Sequence, residues 1–458
     1  MARIDYIFYA IIKHAGNRCD GEGCAIAHFL SLWQSSGFER PEDGGLGFFR
    51  MIPLERKLVR MACFLAIAVI ACSCSTKKSA HVEYAQDEKP VAAHANHDEQ
   101  RAVSKTWNKA AAASYLDQRE TFWMKWQGAK RDQGTFCISC HTNLTFVFAQ
   151  TALRELPTEP NTSDNERKII DDVKKRVQLW SAVESYYDNK EDETGNGPAS
   201  RATEAVLNAV ILAFHDSQTG ALSDDTRAAF HNMWALQQTA GNDQGAWLWQ
   251  KFRLGPWESR DSPYFGATLA ALAVGIAPGN YRSSADIQDN LASLQKYLGR
   301  KYSEQPLLNR IGLLWASTKW PGLLTPKQQK SIIGEIYEKQ QSDGGWSLSS
   351  LTWSSKYLGI PSLLTTRRRN DWTPQETKSD GLATGYIAFV LEQAGVPREN
   401  AQMKSALGWL TQNQNQTEGF WTAYSLNKRR DPSSNVGRFM TDAATAFAVL
   451  ALSENVSQ

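Results

Sequence analysis

The sequence predicts an all-α fold, and three observations carry that expectation. From about Trp107 onward, apolar residues recur at three- to four-residue spacing, the period of helices that bury one face. The alternating apolar and polar runs that make strands are scarce. A loop pattern, Gln followed by a few polar residues and then Gly-x-Trp, recurs between the helical stretches. Ten or more helices without strands must close into a ring, a bundle or a solenoid to bury their faces.

Ser163-Asp-Asn-Glu166 reads as a capping box, after which Ile169, Val173, Val177 and Trp180 mark an amphipathic helix. Similar periodicity predicts helices over 204–214, 225–237, 265–274, 291–298, 308–315, 328–339, 382–394, 401–410 and 443–452. The loop pattern stands at Gln341-Ser-Asp-Gly344-Gly345-Trp346 and at Gln414 to Gly419-Phe-Trp421, with a stretched copy from Gln237 to Gly245-Ala-Trp247. Glycine permits the tight exit from a helix, tryptophan stacks back on the preceding turn, and the glutamine amide ties the loop backbone. After each loop an acid opens a small-residue helix: Asp261, Asp380 and Asp442, suited to the positive helix N-terminus.

The N-terminal third divides differently. Residues 1–50 are Gly-rich and aperiodic and read as an over-extended start, with Met51 as initiator. Residues 51–71 have the layout of a secretory signal, a basic stretch to Arg60 followed by the apolar run Met61 to Ala71. Val69-Ile70-Ala71-Cys72 resembles a bacterial lipobox, which implies cleavage and lipidation of Cys72, with Ser73 in place of an inner-membrane retention Asp. A plain signal peptide or an uncut signal anchor is the alternative. Residues 72–105 are polar and Ala-rich, a flexible tether to the globular part at 106–458. Export to the cell envelope, with a lipid anchor at the outer membrane facing the periplasm, follows as the expected location.

Residues 1–71 carry eight of the 50 basic and seven of the 48 acidic side chains, so 42 and 41 remain. Such a balance argues against nucleic acid as a partner. The remaining cysteines beyond the lipobox are Cys74, Cys137 and Cys140, too few for a disulfide scaffold. Cys137-Ile-Ser-Cys140-His141 is instead the spacing that attaches a c-type haem, with both thiols as thioether donors and His141 as proximal iron ligand. A Cys137–Cys140 disulfide or part of a zinc site are the alternatives.

The three loop motifs resemble the QW motifs of terpenoid cyclases, and the loop-helix pattern resembles the C-terminal part of squalene-hopene cyclase and prenyltransferase-type repeats. The resemblance spans roughly Trp107 to Leu452 and implies an α/α toroid, with outer and inner helices alternating around a central cavity. Trp126-Gln127 to Phe136 looks like a worn copy of the repeat, which would make 141–153 the first inner helix and set Cys137, Cys140 and His141 at the cavity mouth. If the ring closes, Met440 could approach the iron as a sixth ligand, with Met124, His215, His231 and the tether histidines competing.

The chemistry implied by the resemblance does not transfer. The cyclases protonate an alkene with an Asp-x-Asp-Asp motif, which is absent here, and the prenyltransferases need a zinc-binding Asp, Cys and His set, yet no cysteine lies beyond Cys140. Asp171-Asp172 and Asp224-Asp225 are the nearest acidic pairs, the latter a helix start after Ser223. Glu204, Asp261, Asp380 and Asp442 remain as acids near expected inner-helix starts, as catalytic candidates or as caps. Trp247, Trp249 and Trp257, interleaved with Arg253 and Arg260, line either a cavity or a core.

Three functions are compatible with these residues. One is an envelope lipoprotein whose toroid carries a c-type haem, for electron transfer to a redox partner protein or for redox chemistry on a small apolar ligand. The second is a polyprenoid cyclase-like enzyme with a non-standard acid such as Asp380. The third is a non-catalytic ligand-binding module with a structural disulfide.

Overall fold

The computed structural model describes residues 106–154, 163–187, 196–352 and 368–453. The extension at 1–50, the signal at 51–71, the lipidation site Cys72 and the tether at 72–105 all lie outside the described residues. No helix of the described residues is long and apolar enough to cross a membrane.

The described residues are all-helical, as their periodicity predicts. Among the described residues the α-helices are α1 (Lys109–Lys125), α2 (Asn143–Leu153), α3 (Asp164–Gln178), α4 (Asn196–Thr219), α5 (Asp224–Ala235), α6 (Ser262–Ile276), α7 (Gln288–Lys301), α8 (Leu307–Lys319), α9 (Pro326–Glu338), the single turn α10 (Leu348–Leu351), α11 (Gly381–Gln393), α12 (Ala401–Asn413) and α13 (Phe439–Leu452). Among the described residues, extended pairing is limited to three isolated bridges that pin loop necks: Lys130–Phe136, Leu254–Glu258 and Arg368–Pro374.

Two kinds of helix alternate along the chain. In α2, α6, α11 and α13 nearly every side chain is buried, as expected of helices apolar all round. By contrast α3, α7 and α9 bury one stripe and expose the other. Together with α4 and α8, which bury most of their residues, this set packs in a definite order: α2 on α4, α4 on α6, α6 on α8, α8 on α11, α11 on α13, and α13 again on α2. Around it, α1 packs on α13 and α2, α3 and α5 on α4, α7 on α6, α9 on α8, and α12 on α11 and α13. The α11–α13 approach is close because Gly385 lacks a side chain; a Cβ there would stand 2.6 Å from the backbone nitrogen of Ala448.

The Gly-x-Trp loops have one construction. Trp247, Trp346 and Trp421 are fully buried, and each indole N–H donates to a carbonyl near the end of the preceding helix, Met233, Ile336 and Leu410, at 2.6, 2.8 and 2.7 Å. A glutamine amide donates twice, to the loop glycine carbonyl and to the start of another helix: Gln237 to Gly245 and Asn290, Gln340 to Gly344 and Gln402, Gln414 to Gly419 and Asn108. The second loop thus uses Gln340, not the Gln341 that the motif spacing singles out. In the worn first copy the bond is reversed, with Trp123 of α1 donating to the Cys137 carbonyl at 2.8 Å.

Two local expectations are corrected. Ser163 caps α3 through the Glu166 amide, but Glu166 pairs with Arg154 and does not complete a box. The reciprocal capping box is at Thr325 and Gln328, opening α9. Helix α4 begins at Asn196, so Glu204 lies in its interior and is not at a helix start.

Candidate functional site

The Cys137 to His141 loop is built by short-range polar bonds before α2. Ser139 Oγ accepts the amides of Thr142 and Asn143, capping the helix, while Asn143 Oδ1 accepts the Ser139 amide and hydroxyl. The Asn143 amide nitrogen donates to Glu120, a carboxyl buried on α1. Burial raises Glu120 to about 8, against the Asn143 bond that lowers it. Its second oxygen has no hydrogen-bond partner, which fits a protonated acid.

Thr142 holds the N-cap position of α2 but does not cap with its side chain. Its hydroxyl donates to Asp442 Oδ2 at 2.9 Å and lies 2.8 Å from His141 Nδ1. With that hydroxyl proton committed to the carboxylate, the hydroxyl oxygen accepts from His141, so Nδ1 carries the imidazole proton and Nε2 presents a lone pair. Nε2 makes no hydrogen bond among the described residues. Phe439 stacks on the imidazole at 4.3 Å, the Trp123 ring meets it edge-on at 5.1 Å, and Trp257 lies 5.9 Å away. Burial, with the Arg119 and Arg430 cations, holds His141 down at about 3, so the ring is neutral.

Asp442 is the hub of this arrangement. Besides Thr142 it accepts from Tyr115 at 2.9 Å and from Arg119 Nε and Nη2 at 2.7 and 3.1 Å. Burial raises its carboxyl, opposed by the Arg119 cation and these bonds. The sequence flags Asp442 only as a helix-opening acid; Tyr115, Arg119, Glu120 and Thr142 carry no local motif.

Both thiols of the loop are free and buried. Burial pushes Cys137 up to about 11 and raises Cys140 further, helped there by the Glu258 charge. They face different surroundings: Cys137 is buried near Arg131, Tyr187 and Asp172, whereas Cys140 lines a cavity. That cavity has about 670 Å³ of space between its walls, its open mouth included. Its wall is apolar and aromatic, with Phe148, Phe265, Trp315, Tyr386 and Phe447 contributed by different buried helices and Trp257 by a loop.

The other acids do not reach this cavity. Asp380 is buried and pushed up to about 6, but its oxygens accept the Ala383 and Leu348 amides, so it caps α11 and anchors α10. Asp261 is at the N-cap of α6 without a side-chain cap bond. Glu204, wholly buried, pairs with Arg176 at 2.6 Å. Asp172 accepts the Phe136 amide at 3.0 Å and is raised by burial to about 7, and Asp224 and Asp225 occupy the first turn of α5 behind the Ser223 cap. Trp247 and Trp249 are core side chains; of that aromatic stretch Trp257 alone lines the cavity. Met440 is buried on α13, and its neighbour Phe439 is the α13 side chain that covers His141.

A c-type haem needs two thiols on one short loop and an imidazole nitrogen free to take iron. His141 meets the second need, since Nδ1 is tied through Thr142 to a carboxylate, the outer hydrogen bonding that orients iron-binding histidines. Cys140 meets the first from the cavity wall, while Cys137, on the same loop, is buried and does not line that cavity. Among the described residues no group of three or more His, Cys, Asp or Glu is placed to hold a metal ion by itself. The sequence matches no protein-family model and no curated protein.

Proposed function

We propose that the chain is a cell-envelope lipoprotein whose helices form an α/α toroid, and that Cys137, Cys140 and His141 hold a c-type haem at the rim of its cavity. The ring is supported by the packing order of the buried helices, which returns from α13 to α2, and by Gln414 and Asp442 bonding to Asn108 and Arg119 near the start of the described chain. Export and anchoring rest on the basic-apolar segment ending at Cys72. One observation carries the haem reading: His141 is neutral, fixed through Thr142 to Asp442, and keeps Nε2 unbonded one residue after a thiol on the cavity wall.

Bound there, a haem supplies one-electron transfer. The protein's own part is to hold the imidazole in one tautomer, to keep water from the aromatic rim with Trp123, Trp257 and Phe439, and to receive a small apolar molecule beside Cys140. Electrons would pass to a redox partner protein or to the molecule in the cavity. Purified protein from a host that attaches haem in its envelope is expected to show a Soret band, lost in Cys140→Ala. A Soret band that survives this substitution would remove Cys140 from the site.

A further inference from the structure

The cavity wall is apolar but not featureless. Three of its polar side chains have their donors spent on the protein: Thr145 on the His141 carbonyl at 2.7 Å, Thr268 on the Phe265 carbonyl at 2.7 Å, and Asn309 on the Asp261 carbonyl and Gln305 at 3.1 and 2.9 Å. Tyr386 and Trp315 differ. Both are more than nine-tenths buried, both line the cavity, and neither the phenol O–H nor the indole N–H makes a hydrogen bond among the described residues. Their rings meet edge to face with centroids 6.4 Å apart. Neither polar atom is sealed inside the protein, and with no acceptor of the described chain bonded to it each donor is left to a partner inside the cavity.

Space is kept open beside the phenol. Position 312 is glycine, and a Cβ there would stand 3.3 Å from Tyr386 Oη and 3.1 Å from Thr268 Oγ1. No charged side chain of the described residues lines the cavity, so a carboxylate or ammonium entering it would lose its hydration without gaining a counter-ion. Burial raises the Tyr386 phenol well above its ordinary value, which keeps the donor protonated.

Resting on the reading of this cavity as a ligand site, the geometry points to a neutral, apolar molecule that carries a carbonyl-type oxygen, held by hydrogen bonds donated from Tyr386 and Trp315. The apolar skeleton lies among Leu144, Phe148, Leu269 and Phe447, and the oxygen faces the Gly312 gap.

A matched pair of probes tests this on the full-length exported protein: 2-decalone and decalin, alike in shape and differing in one carbonyl oxygen. Each is titrated to displace N-phenyl-1-naphthylamine, a neutral apolar fluorophore, from wild type, Tyr386→Phe and Trp315→Phe. Both variants are expected to weaken 2-decalone by about three- to tenfold, the range of a lost neutral hydrogen bond, and to leave decalin unchanged. Unaltered decalin binding also shows that the variant is folded. A variant series in which 2-decalone and decalin shift together, or in which neither shifts, overturns the assigned oxygen contact while sparing the cavity as a ligand site. Failure of both probes to displace the fluorophore from wild type overturns the ligand site and the contact with it.

Discussion

Arg119 on α1 and Asp442 on α13, 323 positions apart, form a buried ion pair with Nε 2.7 Å from Oδ1. It ties the last helix of the described chain to the first, and the same carboxylate orients the imidazole of His141 through Thr142. Structure and candidate chemistry therefore share one side chain.

Replacing Asp442 by Asn leaves the Arg119 cation buried without its counter-ion. A loss of about 3 kcal/mol or more is expected, because breaking a buried pair from one side strands a charge. The exposed pair of Lys301 and Glu304 gives the contrast, since Glu304→Gln should cost less than about 1 kcal/mol. Urea midpoints of the two variants check the difference.

Glu120 makes stability depend on pH in a definite direction. Its carboxyl is raised to about 8 in the folded chain against 4.5 as the reference value, so the native state keeps a proton that the unfolded chain has released. The contribution is fully present below pH 4.5, is lost as pH rises toward 8, and is flat above. Glu120→Gln keeps the oxygen that Asn143 bonds and removes the titration. Its melting temperature is expected to exceed wild type by about 2 °C or more at pH 8.5 and to equal it at pH 4. Equal melting temperatures at both pH values would contradict this account of Glu120.

Gly419 and Gly395 both have positive φ, at 87° and 83°, but differ in surroundings. A Cβ on Gly395 meets nothing within 4 Å, whereas one on Gly419 would lie 2.2 Å from the Ala111 carbonyl in α1. Gly395→Ala should cost about 1–2 kcal/mol from backbone strain alone. Gly419→Ala should cost clearly more, since α1 must move from the last loop. Denaturation curves of the pair would show equal losses if that packing contributed nothing.

Thr142→Val cuts the bond between His141 and Asp442 with little change of shape. The stability cost should be about 1 kcal/mol. In haem-loaded protein the imidazole becomes a weaker donor to iron, which favours the reduced state, so the midpoint potential should rise. A spectroscopic redox titration in which the potential stays at the wild-type value would contradict the relay.

Much of the fold is legible in the sequence because its causes are local. The apolar period places the helices, and the Gly-x-Trp loops announce their own bonds, since Trp346 and Trp421 reach carbonyls only ten and eleven residues back. What escapes is set by distant contacts. Nothing near Arg119 or Tyr115 signals an acid more than 320 positions away, and Asp442 reads as one helix-opening acid among several. Gln340 and Gln341 are indistinguishable until Gln340 is seen to reach the Gln402 carbonyl. Glu204 is misplaced because the eight residues of α4 before it lack apolar periodicity, though Ser200, Ala202 and Thr203 are buried there. The cavity's unpaired donors, Tyr386 and Trp315, look like ordinary core aromatics in the sequence.

The most direct test of the proposed haem site is the visible spectrum of the exported protein, reduced against oxidised, after expression in a host that attaches haem in its envelope. The expected result is a Soret band with sharpened visible bands on reduction, at one haem per chain. A colourless protein, folded and exported from that host, would contradict the account.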